Sequence, residues 1–112
     1  MSTTNDQKKI SAFAAEVYAA ASLIPAGQVA TYAQIARLIR RPRAFRAVGQ
    51  ALHCNPFAPA VPCHRIIASD GSLGGFNGGL ARKIRLLKSE GIAIIGEKID
   101  LQRYGFRPKK HR

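Results

Sequence analysis

The chain has 112 residues, of which 18 are lysine or arginine and 6 aspartate or glutamate, for a formal net charge of +12. With 46% hydrophobic and 21% charged residues and no low-complexity run, it has the composition of one folded domain, which excludes a disordered tail or a fibrous repeat. The longest apolar stretch, Phe13 to Ile24, is broken by Glu16, Tyr18 and Ser22 and falls short of a membrane span, and the polar opening MSTTNDQKK is no secretory leader, so the chain reads as cytoplasmic with no membrane partner.

Thr4 and Gln7 have capping-box spacing, and Ile10, Phe13, Ala14, Val17, Tyr18 and Ala21 recur at helical intervals, which predicts a core helix from about Asp6 to Ser22. Pro25, Ala26 and Gly27 stop it, and Gln28 to Ala30 offers a short extended link. A second box, Thr31 with Gln34, opens a helix with Ile35, Leu38 and Ile39 on one face, closed by the Arg40-Arg41-Pro42 corner. Phe45, Val48 and Leu52 form the stripe of a third helix ending at Asn55-Pro56. Two helices joined by a short turn read as a helix-turn-helix. No acidic residue lies between Glu16 and Asp70, whereas Arg37, Arg40, Arg41, Arg43 and Arg46 crowd together, so the implied partner is a polyanion. Gly49 costs its helix about 1 kcal/mol against alanine and points to close approach by another backbone or a ligand.

Pro56, Pro59 and Pro62 set an extended segment that delivers Cys63, and Ile66-Ile67 before Asp70-Gly71 reads as a strand entering a hairpin, a candidate wing. Gly71, Gly74, Gly75, Gly78 and Gly79 make a loop that fits neither the Walker nor the dinucleotide spacing. Leu80, Ile84 and Leu87 mark a helix carrying Arg82, Lys83, Arg85 and Lys88 and stopping at Glu90-Gly91. Ile92 to Leu101 reads as strand plus turn, and Arg103 to Arg112 as a basic, frayed tail. The predicted fold is mainly α with a small β element, a winged helix-turn-helix-like single domain over 1–112, with its core at about 6–102 and the tail at 103–112.

Cys54 and Cys63 allow one disulfide, which a cytosolic chain does not favour. With His53 and His64 they could form a zinc quartet, but the spacing lacks paired Cys-x-x-Cys knuckles, so no metal is expected. Cys54 reads as packing. Cys63 lies between Pro62 and His64 with Arg65 beyond, surroundings that favour thiolate; a free cysteine titrates near roughly pH 8.5, and neighbouring cations or a base lower that. Cysteine is equally a small buried hydrophobe, and spacing leaves both readings open.

Pro62-Cys63-His64-Arg65-Ile66 resembles the active-site motif of the O6-alkylguanine DNA alkyltransferases, also called methylated-DNA protein-cysteine methyltransferases. The stretch from Ile24 to Tyr32, then Arg46-Ala47-Val48-Gly49, Asn55-Pro56 and Gly74 to Leu80 resemble the family's patterns in the same order. The resemblance covers roughly Ile10 to Ile92. It implies a DNA repair protein, monomeric and without a cofactor, whose partner is double-stranded DNA containing O6-alkylguanine. The recognition helix would enter the minor groove, Arg46 filling the gap left by the flipped base, with Ala47 and Gly49 permitting close approach and Arg43 and Thr31 adding DNA contacts. Cys63 would take the alkyl group irreversibly. His64 would deprotonate Cys63 through a bound water, Glu90 would orient the imidazole, and Tyr32 would protonate the departing base. Taken alone, Tyr32 is a core aromatic at a helix start and Glu90 a helix-end carboxylate.

The resemblance also makes Asn55 a hinge before the active-site segment and Arg65 a structural fork satisfying carbonyls. Pro62 and Phe76 belong to the substrate pocket, and backbone groups near Ile66 and Asn77 would read the base edge; Asn77 stands where some relatives carry serine. The N-terminal domain of most members is not expected within these residues. Ile99 to Tyr104 resembles the ending of the alkyltransferase-like proteins, single-domain relatives that bind alkylated guanine without repairing it and flag it for excision. Those typically carry tryptophan in place of Cys63, so the cysteine and the Gly74 to Gly79 loop favour transfer. A non-catalytic winged-helix regulator would need neither Cys63 nor Glu90.

Overall fold

Ser11 decides where the first helix begins. Its backbone is extended and its hydroxyl accepts the Ala14 N–H at 2.9 Å, capping α1 (Ala12–Ala21) later than the expected start near Asp6. The structure, a computed structural model, describes residues 11–73 and 79–108, so the Thr4–Gln7 pair lies outside the described residues. β1 (Ala30–Thr31) runs straight into α2 (Tyr32–Leu38), where Thr31 Oγ1 accepts from the Gln34 N–H at 3.0 Å. Only that half of the capping box forms, because the Gln34 amide donates instead to the Phe106 carbonyl.

α2 ends in a Schellman motif: the Arg40 N–H donates to Arg37 O and the Arg41 N–H to Ala36 O, with Arg40 left-handed at φ 64°. After a short turn, α3 (Phe45–His53) buries Val48 and Leu52, whereas Phe45, expected on the same stripe, is half-exposed at the helix start. Pro56 to Val61 is a compact turn, not an extended arm. The Asn55 side chain folds it, accepting from the Phe57 N–H and donating to the Val61 carbonyl, both at 2.9 Å.

A 3₁₀ turn, Cys63–Arg65, leads into β2 (Ile66–Ile67). β2 pairs in parallel with β1, Ala30 opposite Ile66 and Thr31 opposite Ile67, instead of opening a wing. Both faces of this short ladder are covered, the setting that suits parallel pairing. Ile66 joins a core with Val17, Ala21, Ile24, Ile35, Val48 and Leu52, and Ile67 joins a second with Val29, Leu73, Leu87, Ile92 and Ile99. The Asp70-Gly71 turn does form, and Ser72 bridges antiparallel to Lys98.

α4 (Leu80–Ser89) stops at Gly91, whose φ of 89° lets Gly91 and Ile92 donate to the carbonyls of Lys88 and Leu87. Between Ile92 and Leu101 the backbone makes a tight turn closed by Ile95 and Lys98, followed by α5 (Leu101–Tyr104), which the sequence pattern did not announce. The tail is not frayed at its start: the Val29 N–H donates to Tyr104 O and the Phe106 N–H to Val29 O, docking it beside β1. No described helix is long and apolar enough to cross a membrane.

Candidate active site and nucleic-acid interface

The Cys63 turn is held by its own backbone. Cys63 N–H donates to Val61 O, Arg65 N–H to Pro62 O and Ile66 N–H to Cys63 O, leaving Cys63 and His64 both buried. His64 Nε2 lies 2.9 Å from Glu90 Oε2 at the C-cap of α4. Arg65 grips the same carboxylate with two donors, Nε to Oε1 at 2.9 Å and Nη2 to Oε2 at 2.7 Å, while its Nη1 donates to the Ile24 carbonyl. The expected fork on carbonyls therefore has one carbonyl and one carboxylate. His64 Nδ1 is buried and has no hydrogen-bond partner among the described residues.

Electrostatics follow from this geometry. Burial lowers the His64 pKa; the Glu90 hydrogen bond and charge oppose that, and Arg65 and Lys83 add to the lowering. Burial pushes the Glu90 carboxyl up, but the bonds and charges from Arg65 and His64 outweigh it and hold it below its ordinary value. Tyr32, half-buried at the start of α2, is pushed up by burial and further by charge on Cys63, so its phenol keeps its proton at neutral pH. Within the chain its ring is what approaches Gly49: a Cβ there would lie 3.9 Å from two ring carbons.

Lys83 is the residue that sequence reasoning missed. Placed with Arg82, Arg85 and Lys88 as part of a basic helix, it is in fact 0% exposed, and its ammonium donates to the carbonyls of Ile66 and Leu73. Its spacing of four from Leu87, on the apolar stripe, was the available signal. Cys54 is exposed at the end of α3 and does not pack as expected. Among the described residues, His53, Cys54, Cys63 and His64 form no group that could hold a metal.

The second surface is the helix-turn-helix. Arg37, Arg40, Arg41, Arg43, Arg46 and Ala47 are exposed on α2, α3 and the turn between them. Only Arg41 is drawn aside, 3.5 Å from Glu16 of α1. Thr31 is occupied as the cap of α2, and Asn55 bridges α3 to the stretch before Pro62. Phe76 and Asn77 lie outside the described residues.

The sequence model of a family described as "6-O-methylguanine DNA methyltransferase, DNA binding domain" matches residues 12–92. A methylated-DNA–protein-cysteine methyltransferase of Salmonella typhimurium is 47% identical over 83 residues, 74% of this chain and 48% of that protein. A protein of the same name from Methanosarcina barkeri is 50% identical over 78 residues, 70% of this chain and 49% of its own. The chain thus spans about half the length of the curated relatives it matches. Among solved structures, Mycobacterium tuberculosis OGT in complex with DNA superposes with a TM-score of 0.72 at 44% identity, covering 73% of this chain and 51% of that one. S. pombe Atl1 in complex with damaged DNA containing O6-carboxymethylguanine gives 0.81 at 34% identity, covering 89% of this chain and 99% of that one.

Proposed function

The chain belongs to the 6-O-methylguanine DNA methyltransferase family, and we propose that it acts as one DNA-binding domain that moves an alkyl group from O6 of guanine onto its own Cys63. The observation that carries this is the buried Cys63-His64 pair with Glu90 behind it: His64 donates through Nε2 to the carboxylate and keeps Nδ1 to receive the thiol proton through a bound water. The sulfur then attacks the alkyl carbon, the S–C bond forms as the O6–C bond breaks, and the electron pair leaves with the guanine. Tyr32 supplies the proton that lets the base depart neutral. The thioether has no easy way back, so each molecule reacts once.

To reach Cys63 the guanine must leave the stack, which costs a few kcal/mol and less for a damaged pair. Exposure of Arg46 on α3 and of Arg43 before it supports their roles in this reading, Arg46 filling the gap and Arg43 meeting phosphate. Duplex DNA containing O6-alkylguanine is therefore the partner, read from the minor groove.

A second reading, a protein that binds alkylated guanine without transfer, is supported by the coverage of nearly the whole Atl1 chain. Incubation with an oligonucleotide containing O6-methylguanine separates the two by intact mass. Transfer adds one methyl group to the protein, on the peptide holding Cys63, whereas tight binding without mass gain establishes the second reading.

A further inference from the structure

Glu90 receives three donors on two oxygens: Arg65 Nε on Oε1, and both Arg65 Nη2 and His64 Nε2 on Oε2. A carboxylate only accepts, so the shared Oε2 requires the His64 proton to be on Nε2 and leaves Nδ1 as the accepting nitrogen. Held by histidine alone, a carboxylate can rotate and release the ring. The planar guanidinium removes that freedom by matching both oxygens at once. Its remaining contact, Nη1 to the Ile24 carbonyl at 2.8 Å, ties the clamp to the segment after α1, so Arg65 joins three separate parts of the chain: Ile24, its own turn and Glu90.

We propose that Arg65 is a positioning residue for proton transfer from Cys63: it locks Glu90 in the orientation that holds His64 with Nδ1 free to accept. This rests on the transfer reading and adds to it, because Arg65 acts through its grip on Glu90 and through its charge beside the ring. It also sets the charge around the ring. The charged groups acting on His64 are Glu90 at the end of α4, Lys83 within α4 and Arg65 beside it, with Cys63 its neighbour in the chain. With Arg65 present the Glu90 charge is compensated, and buried His64 stays a neutral base. Without it, the uncompensated carboxylate favours imidazolium, which can accept no proton.

The test uses the full chain and two readouts: single-turnover methyl transfer across pH, and NMR titration of the His64 ring nitrogens. Arg65→Ala is expected to move the ring titration and the acid limb of the rate upward by about one pH unit, and to slow transfer at least about tenfold, within what a positioned base contributes. Arg65→Lys, which restores charge without the fork, is expected to return the titration toward wild type while transfer remains slow. A merely structural arginine lowers the folded fraction and moves neither titration nor tautomer. If Arg65→Ala does not fold, Arg65→Gln carries the same comparison. A folded variant with an unmoved His64 titration and an unmoved Nε2–H tautomer overturns the proposal. Should the wild type take no methyl group, the transfer reading fails on its own, and the ring titration still decides for or against Arg65.

Discussion

Lys83 turns the burial of one charge into a measurable pH dependence. It is 0% exposed, and burial lowers its pKa from 10.5 to about 8, against a smaller upward pull from charge on Cys63. Its pKa is lower in the folded than in the unfolded chain, so between about pH 8 and 10.5 the folded state binds fewer protons, and stability rises with pH there. The full difference corresponds to roughly 3 kcal/mol, at about 1.4 kcal/mol per pH unit. From about pH 7 to about pH 9.5 the wild type should gain roughly 2 kcal/mol from this residue. Lys83→Met keeps most of the side-chain volume and removes the titration. It also loses the bonds to Ile66 and Leu73, a constant offset that the comparison of slopes cancels. Urea unfolding followed by circular dichroism provides the measurement. With a urea dependence of about 1–2 kcal/mol per molar, the wild-type midpoint should rise by roughly 1–2 M relative to the variant over that range. Midpoints that run parallel with pH in the two proteins would refute the argument from burial.

Three more expectations follow from particular positions. Arg46→Ala should slow transfer from duplex DNA far more than from free alkylated base, which needs no flipping, whereas Arg43→Ala should weaken all duplex binding and reduce the slope of log affinity against log salt by about one; stopped-flow rates and salt titrations compare them, and equal losses on both substrates for Arg46→Ala would remove it from the stack. Gly71→Ala places a Cβ 2.7 Å from the Ile99 carbonyl oxygen at a φ of +87°, so thermal unfolding should show a loss of at least about 2 kcal/mol. Arg40→Gly relieves a left-handed residue at the end of α2 worth about 1–2 kcal/mol, less the flexibility glycine adds to the unfolded chain, and denaturant midpoints should report a net gain of about 0.5–1 kcal/mol.

Signals with a local cause were legible in the sequence. Thr31 caps the helix it was read to cap, Gly91 ends α4, and Val48 and Leu52 face inward as their spacing requires. The misreadings share a different origin, contacts between distant segments. Ile66-Ile67 was legible as a strand, but its partner Ala30-Thr31 carries no pattern that betrays pairing. The three prolines suggested extension, and the two bonds of Asn55 overrode them. The tail looks frayed until Val29 is seen to offer its N–H and C=O to it. At the site, Cys63, His64 and Arg65 are contiguous and conspicuous, whereas Glu90 lies 26 residues from His64 and reads alone as a helix-end acid. Lys83 shows the limit of composition most clearly, because a lysine among three basic neighbours is ordinarily a solvated one.

The side chain of Asn55 ties α3 to the Cys63 turn, so that under the proposed transfer the two form a single lever. It is buried just after α3 and grasps Val61, two residues before Cys63, so a tilt of the helix is passed toward the sulfur through one short link. The positions that face outward on α3, Phe45, Arg46, Ala47, Gln50 and His53, take no part in that link. Adaptation can therefore rewrite the outer face at Gln50 and His53 while the gearing behind it runs unchanged, and an engineer who wishes to retarget the protein has those two positions to vary without touching Arg46 or Ala47.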